Sequence, residues 1–310
     1  MNPLISIVLC TYNNADSLEI TLKQLTNLNC QEQKLHEIII VDNNSPDHTA
    51  AVVQKYTHLD NSAFHYYFEQ KQGLSHARNT GLVQARGKYI LFTDDDAEIY
   101  PHWLDAYIGI IRAHSPDCLY SKINIIWDSP QPWWFLPAYI PCFVGLDYGN
   151  TLIDVVDIHH EFYGKNFCVQ KSLLQELGGF DPKLGRQGTK LAAGEETLLY
   201  RKLIETEKKV IYFPDAEVGH RLKKREYTRE HIKKLYIDGA YSSHHIATIT
   251  ARKKILGRPA HLVVNAVKNL LIALIQYPLN VIKMNKARSY YHYLCICKNI
   301  TLIRLWISNQ

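Results

Sequence analysis

Cysteine occurs here without the patterns that would give it structural or metal-binding work. The seven cysteines, Cys10, Cys30, Cys118, Cys142, Cys168, Cys295 and Cys297, form no CxxC pair and no metal-finger spacing. That excludes a zinc site of the usual kind. An odd count with no secretory signal predicts reduced thiols in the cytoplasm. The opening Met1 to Cys10 has no basic n-region, and its apolar run is too short for a signal peptide, so it predicts a strand instead. There is no P-loop, no Ser/His/Asp arrangement, no internal repeat and no low-complexity tract. Apolar content of 46% with 21% charged residues excludes a disordered chain. The 310 residues suffice for one large domain with an appendage, or for two domains.

Charge is present but unevenly spread. Residues 221–310 hold 17 Lys+Arg against 3 Asp+Glu, whereas the first 220 hold 18 against 27. An acidic body with a basic tail suggests a cation-using site in the first part and an anionic surface facing the second. The acidic part centres on Tyr89-Ile90-Leu91-Phe92-Thr93-Asp94-Asp95-Asp96. A continuous apolar run reads as a short buried strand, and it ends in three consecutive carboxylates. Three acids ordered at a strand end call for something cationic, for which a hard divalent ion with oxygen ligands is the usual answer. Taken alone, the triplet reads rather as a solvated acidic turn, and it is the company it keeps that favours the ion.

Strands and helices alternate at short spacing before and around it. Strand Ile5–Cys10 is followed by the turn Thr11-Tyr12-Asn13-Asn14 and a helix from about Ala15 to Leu28, with Asp16 or Ser17 as candidate caps. Ile20, Leu22, Leu25 and Leu28 are its candidate buried face. Strand 37–41 runs into Asp42, helix 49–56 and strand 64–68 follow, and a helix around 75–85 precedes the acidic strand. This pattern predicts βαβ units and a parallel sheet. Residues 127–150 are rich in Trp and Pro and read as an ordered loop, whose aromatics either meet sugar faces or pack on the core. The stretch Gly164-Lys165-Asn166-Phe167-Cys168-Val169, a helix 171–177, the turn Gly178-Gly179-Phe180-Asp181, a helix opened by Gly194-Glu195-Glu196 and a strand 210–214 follow. The final 85 or so residues read as helices.

Six blocks in order carry a family resemblance: "SIVLCTYNNADSLEITL", "IIIVDNNSPDHT", "GLSHARNTGLVQARGKYILFTDDDAEIYPHWL", "GKNFCVQKSLLQELGGFDPKLG", "GEETLLYRKL" and "VIYFPDAEVGH". Over roughly residues 4–221 the chain resembles the inverting glycosyltransferases of family 2, of the bacterial polysaccharide-building kind. The resemblance implies the α/β GT-A nucleotide-diphosphosugar fold, with a catalytic domain over residues 1–225 and a basic helical region over 226–310. By the same resemblance Thr11, Tyr12 and Asn13 would hold the nucleotide base and ribose, and Asp42 would accept hydrogen bonds from them. Cys10 stands where the family commonly has Pro. Arg78 and Asn79 match the family's Arg-Asn pair, the Arg either neutralising phosphate or tying down the acidic loop; a plain surface Arg is the bland alternative.

Asp94 and Asp96 match the DXD motif, and alternate residues of an extended segment project the same way. The resemblance makes them ligands of Mg²⁺ or Mn²⁺, with His220 completing the metal shell and Asp95 touching the sugar or ribose. Such an ion would neutralise charge on the departing nucleoside diphosphate. Glu195-Glu196 matches the family's acidic pair, the second acid being the base that removes the acceptor hydroxyl's proton. Acids favoured in a helix's first turn by its dipole are the alternative. Asn166 matches a position facing the donor sugar. The implied partners are a nucleotide-diphosphate sugar donor and a glycan or lipid-linked acceptor.

Other function classes fare worse. A nucleotidyltransferase would carry a Gly-rich, basic loop after the first strand, where this chain has Thr11-Tyr12-Asn13-Asn14. A non-catalytic scaffold of the same fold would have lost the DXD or the base, and neither is lost. No nucleic-acid recognition motif accompanies the basic tail. That tail instead suggests docking on the inner face of a membrane. Asn265, Lys268, Asn269, Gln276, Asn280 and Lys283 fall near one helical stripe, and apolar residues cover the rest of the surface. Only 14 uncharged positions separate Lys268 from Lys283, against the roughly 20 apolar residues of a span, so the helix is expected to lie on the bilayer. The basic clusters Arg221/Lys223/Lys224/Arg225, Arg252/Lys253/Lys254/Arg258 and Lys283/Lys286/Arg288 would face anionic headgroups. Packing on the catalytic domain or on a second subunit is the alternative.

Overall fold

The computed structural model describes residues 2–29, 36–58, 63–188, 191, 193–251 and 253–308, so Cys30 and Arg252 lie outside the described residues. Two compact units emerge. The first comprises Met1–Ile126, Phe143–Gly188 and Glu195–Arg221, and the second Trp127–Cys142, Thr189–Gly194 and Leu222–Gln310.

In the first unit the expected alternation is present: β1 Ile5–Thr11, α1 Ala15–Thr26, β2 His36–Asp42, α2 Thr49–Thr57, β3 Phe64–Phe68, α3 Leu74–Gln84 and β4 Tyr89–Asp94. There follow β5 Ala97–Ile99, α4 Trp103–His114, β6 Cys118–Tyr120, β7 Ile123–Ile126, β8 Ile153–Val155, β9 Asn166–Gln170, α5 Lys171–Glu176, α6 Glu195–Glu205, β10 Val210–Tyr212 and β11 Val218–Arg221. The main sheet has the order β3-β2-β1-β4-β9-β6-β10-β8. Its first four strands are parallel, and β9 runs antiparallel to both β4 and β6. β1, β2 and β4 are buried almost throughout, as continuous apolar runs covered on both faces should be. The register sets Thr11 opposite Asp42 and Cys10 opposite Asp94, so the polar ends of three strands share one edge. A second sheet, β5-β11-β7, pairs His220 with Ala97.

Helix α1 departs from expectation in two respects. Neither Asp16 nor Ser17 caps it; Asn14 holds the N-cap position, and Asp47 from the next loop accepts from Ala15 N at 2.9 Å. Ile20 is 48% exposed, and Leu18 takes its place in the core beside Leu22 and Leu25. The true buried stripe is Leu18, Leu22, Leu25, which follows the i, i+4, i+7 rule more closely.

The second unit holds α7 Arg229–Thr250, the two-residue strands β12 Lys254–Ile255 and β13 Arg258–Pro259, α8 Ala260–Ile282 and α9 Lys286–Ser308. A small core of Ala240, Ala247, Leu262, Ala266 and Leu302 joins the three helices. The Trp-rich segment contributes its aromatics here. Trp127 meets Phe135 and Tyr227 edge-on, and Trp134 is 3% exposed against Tyr139 and Tyr290. Of the loop's two options, packing holds for these two rings, while Trp133 remains 59% exposed.

Candidate active site

Ligands in open α/β sheets collect beyond the carboxyl ends of the strands, and the predicted residues gather there. Asp42 at the end of β2 accepts from Ser45 N and from Tyr66 OH, both at 2.9 Å. Tyr12 stands 42% exposed. Asn13 adopts a left-handed backbone (φ 49°), its N–H donating to Ser45 Oγ. Thr11 Oγ1 and Asn14 Nδ2 each donate to Asp95 at 2.7 Å, so Asp95 points back to the first strand. Burial and the adjacent charge of Asp96 raise the Asp95 carboxyl above the usual range, against those two hydrogen bonds.

Asp94 closes β4 and Asp96 lies in the turn to β5, so the two are not alternate residues of one strand, yet they converge on a single group, the ammonium of Lys165. Nζ stands 3.1 Å from Asp94 Oδ2 and hydrogen-bonds Asp96 Oδ1. His220 Nε2 approaches the other oxygen of Asp96 at 3.3 Å, while its Nδ1 faces the Phe143 carbonyl at 2.7 Å. Burial alone would push the Asp96 carboxyl up, but Lys165 and His220 hold it well below the usual range. Burial likewise works against the Lys165 ammonium, and the two aspartates outweigh it and raise its pKa.

A second cation organises the other acids. Arg78, 2% exposed, reaches Glu195 Oε1 at 2.7 Å, Glu196 Oε1 at 3.1 Å and Asp94 Oδ1 at 3.8 Å, and its guanidinium lies over Phe180. It is therefore no surface arginine; it ties the acidic strand end to the start of α6. Burial and the charge of Glu196 raise the Glu195 carboxyl, against the pull of Arg78. Glu196 also accepts from Gly164 N at 3.0 Å. A Cβ on Gly164 would overlap Arg78 Nη2 and Glu196 Oε1, so a larger residue there must displace the charged ends of both side chains.

Asn79 and Asn166 are spent elsewhere. Asn79 bonds the backbone of Phe180 through both ends of its amide. Asn166 is fully buried, accepting from Trp103 Nε1 and Tyr107 OH and donating to the carbonyls of Lys122 and Ala216. Its four bonds lock the start of β9.

Residues 6–177 match the model of "Glycosyl transferase family 2". The chain belongs to that family. It is a glycosyltransferase, and its fold is GT-A. Over 224 residues it is 25% identical to the glucosyl-dolichyl phosphate glucuronosyltransferase of Haloferax volcanii, covering 70% of this chain and 69% of that one. A second relative is the GalNAc(5)-diNAcBac-PP-undecaprenol beta-1,3-glucosyltransferase of Campylobacter jejuni, 38% identical over 99 residues. That match covers 31% of each chain. Among solved structures, the mannosyltransferase PcManGT of Pyrobaculum calidifontis, in complex with GDP-Man and Mn²⁺, superposes with a TM-score of 0.65. The two are 17% identical, and the match covers 100% of this chain and 88% of that one. Staphylococcus aureus TarS 1-349 with UDP-GlcNAc gives 0.58 at 17% identity, covering 100% and 93%.

The divalent ion expected at the DXD does not fit this transferase's site as built. An ion bridging Asp94 Oδ2 and Asp96 Oδ1 would stand where Lys165 Nζ stands. Among the described residues no three His, Cys, Asp or Glu side chains gather to hold one. Lys165 is the residue that sequence reasoning passed over. Its signal was a lysine directly before the buried strand "NFCVQ". What placed it was the antiparallel pairing of Thr93 with Asn166, which sets Lys165 beside Asp94.

Proposed function

We propose that this transferase moves a sugar from a nucleotide-diphosphate donor to a hydroxyl of a glycan or lipid-linked acceptor, inverting the anomeric carbon, in the building of surface or exported polysaccharide. The observation that carries the proposal is the convergence of Asp94, Asp96 and Glu196 on two buried cations, Lys165 and Arg78, at the strand ends. The nucleoside would lie along Thr11, Tyr12, Asn13 and Asp42, of which Tyr12 offers an exposed ring.

Glu196 is the better base of the acidic pair. Its side chain is 15% exposed against 2% for Glu195, whose burial favours the protonated form. In one displacement the acceptor oxygen bonds to C1 as its proton passes to Glu196. The bond from C1 to the phosphate oxygen breaks, and its electron pair leaves on the diphosphate. Arg78 keeps Glu196 oriented and holds Asp94 nearby. The acceptor class draws support from the names of the relatives above, a dolichyl phosphate in one and an undecaprenyl diphosphate glycan in the other.

A lipid-linked acceptor also accounts for α8. This 23-residue helix is, among the described residues, the one long and apolar enough by length and composition to cross a membrane, yet only 17% of its apolar window is buried. Lys268 sits on its exposed face among Val264, Val267 and Leu271. A cation there suits a helix lying at the headgroup boundary on the cytoplasmic side better than one crossing hydrocarbon. Two expected headgroup partners are occupied within their own units. Arg221 bonds Glu98, Thr21 and the Ala97 carbonyl, and Arg258 bonds the carbonyls of Trp306 and Ile307. Lys254, Lys283, Lys286 and Arg288 stay exposed.

A melting screen with UDP, GDP and dTDP and their sugars tests the donor. A bound nucleotide at about 100 times its Kd adds roughly 2.7 kcal/mol, whereas no shift with any of them removes the donor. A product that retains the donor's anomeric configuration removes the single displacement.

A further inference from the structure

We propose that Lys165 is the resident cation of the aspartate pair and that this transferase binds its donor's diphosphate without a divalent ion. The inference rests on the nucleotide-diphosphate reading of the site. Its starting point is position: the ammonium lies between Asp94 Oδ2 and Asp96 Oδ1, and a metal and an ammonium cannot share that place. Like charges at contact distance repel most strongly where water is scarce, and Lys165 is 1% exposed.

The lysine is also held there. On one side Gly164 N is bonded to Glu196; on the other, Asn166 begins β9 with its amide fully engaged and its backbone opposite Thr93. An ammonium that left both aspartates without gaining another partner would be a buried charge without compensation. An uncompensated buried charge costs several kcal/mol. Admitting an ion would therefore carry that penalty as well as the ion's own dehydration.

The chemistry left over suits a phosphate. A lysine ammonium has three donors, and two are directed at carboxylates, which leaves one for a phosphate oxygen. Asp94 remains 29% exposed, so the pair is open to a ligand on that side, and Arg78 stands within 3.8 Å of the same carboxylate. Lys165 and Arg78 lie buried behind Asp94, the exposed member of the group, and their charge would stabilise that developing on a departing diphosphate held there. His220 buttresses Asp96 from behind and positions it against the ammonium.

Two measurements on the full chain decide the matter. The first follows Mn²⁺ binding by its EPR signal without nucleotide. Wild type should take up no ion, and Lys165→Ala, with the place vacated, should bind one. The second measures UDP and GDP affinity in EDTA and in Mn²⁺. Wild type should differ by less than about threefold between the two, and Lys165→Ala should weaken at least about tenfold in EDTA and recover in Mn²⁺. Mn²⁺ taken up by wild type overturns the proposal, as does a loss of about tenfold or more in wild-type affinity on chelation. A folded Lys165→Ala that gains no Mn²⁺ binding overturns it too. If that variant does not fold, the two wild-type results still decide. If neither nucleotide binds under any condition but the Mn²⁺ contrast holds, the donor reading fails and the lysine keeps the ion's place.

Discussion

The two units treat their awkward groups in opposite ways. In the first, charge goes inside: Asp95, Asp96, Glu195, Arg78 and Lys165 are all under 10% exposed, and each acid meets a donor or a cation. In the second, apolar surface goes outside: Val264, Leu271, Ile275 and Ile282 are between 57% and 77% exposed along one helix. Buried charge is tolerable only when paired, so the first unit is a closed electrostatic arrangement whose members cannot be removed singly. Exposed apolar area tolerates substitution within the chain but asks for something outside it to cover it. On the proposed reading the first pattern serves chemistry and the second association.

The sharpest way to break the closed arrangement is Arg78→Met. It leaves Glu195, Glu196 and Asp94 without their shared cation, which should cost about 3–5 kcal/mol of stability and abolish transfer. A variant that melts like wild type would mean the acids are held by other means. Glu196→Gln comes next: folding and nucleotide binding should persist while turnover falls by roughly 10²–10⁴. If Glu195→Gln is the inactive variant instead, the choice of base is reversed. Gly164→Ala is smaller. Its methyl group overlaps Arg78 and Glu196 and should cost about 1–3 kcal/mol, with reduced turnover. Gly109→Ala in α4 is the control, since nothing lies within 4 Å of its added Cβ and the helix should gain about 0.5–1 kcal/mol. Equal melting of the two variants would remove the steric account of Gly164.

Much of the closed arrangement was legible in the chain because it follows strand ends. Asp42, Asp94 and Thr11 each terminate an apolar run, and parallel pairing aligns such ends without further information. The approach of His220 to Asp96 was legible only through motif context, since it depends on β5 and β11, three and four residues long. Lys165 was not legible because its partner lies across an antiparallel pair about 70 residues away, and alternation does not state which strand is next. Asn166 was given its donor-facing place by the family resemblance alone. One residue's shift along a strand reverses the face, so the lysine points at the aspartates and the asparagine into the core. In the second unit the long helices were readable, but which stripe is buried was not. Asn280, expected among the exposed polar positions, is 6% exposed and donates to the Gln276 carbonyl, in line with Leu262, Ala266 and Ala273. Leu262 and Ala266 of that stripe pack with Leu302 of α9, and position against a neighbouring helix is a criterion that polarity does not capture.

The smallest expected effect on folding is the most informative about the second unit. Leu271→Ser with Ile275→Ser changes two side chains that are 57% and 61% exposed, so unfolding should move by no more than about 0.5 kcal/mol per site. Membrane contact should move far more. Fully burying a leucine-sized side chain is worth about 1.5–3 kcal/mol, and interfacial docking recovers part of that at each site. Flotation with anionic liposomes at low salt separates the two scales: wild type should float, the double variant should stay behind, and both should unfold together. Salt should release wild type, because headgroup attraction to Lys254, Lys283, Lys286 and Arg288 is screened over about 10 Å at 0.1 M. Equal flotation of the two proteins would retire the membrane surface. If the double variant instead turns a wild-type dimer into a monomer, the cover on α8 is a second copy of the chain.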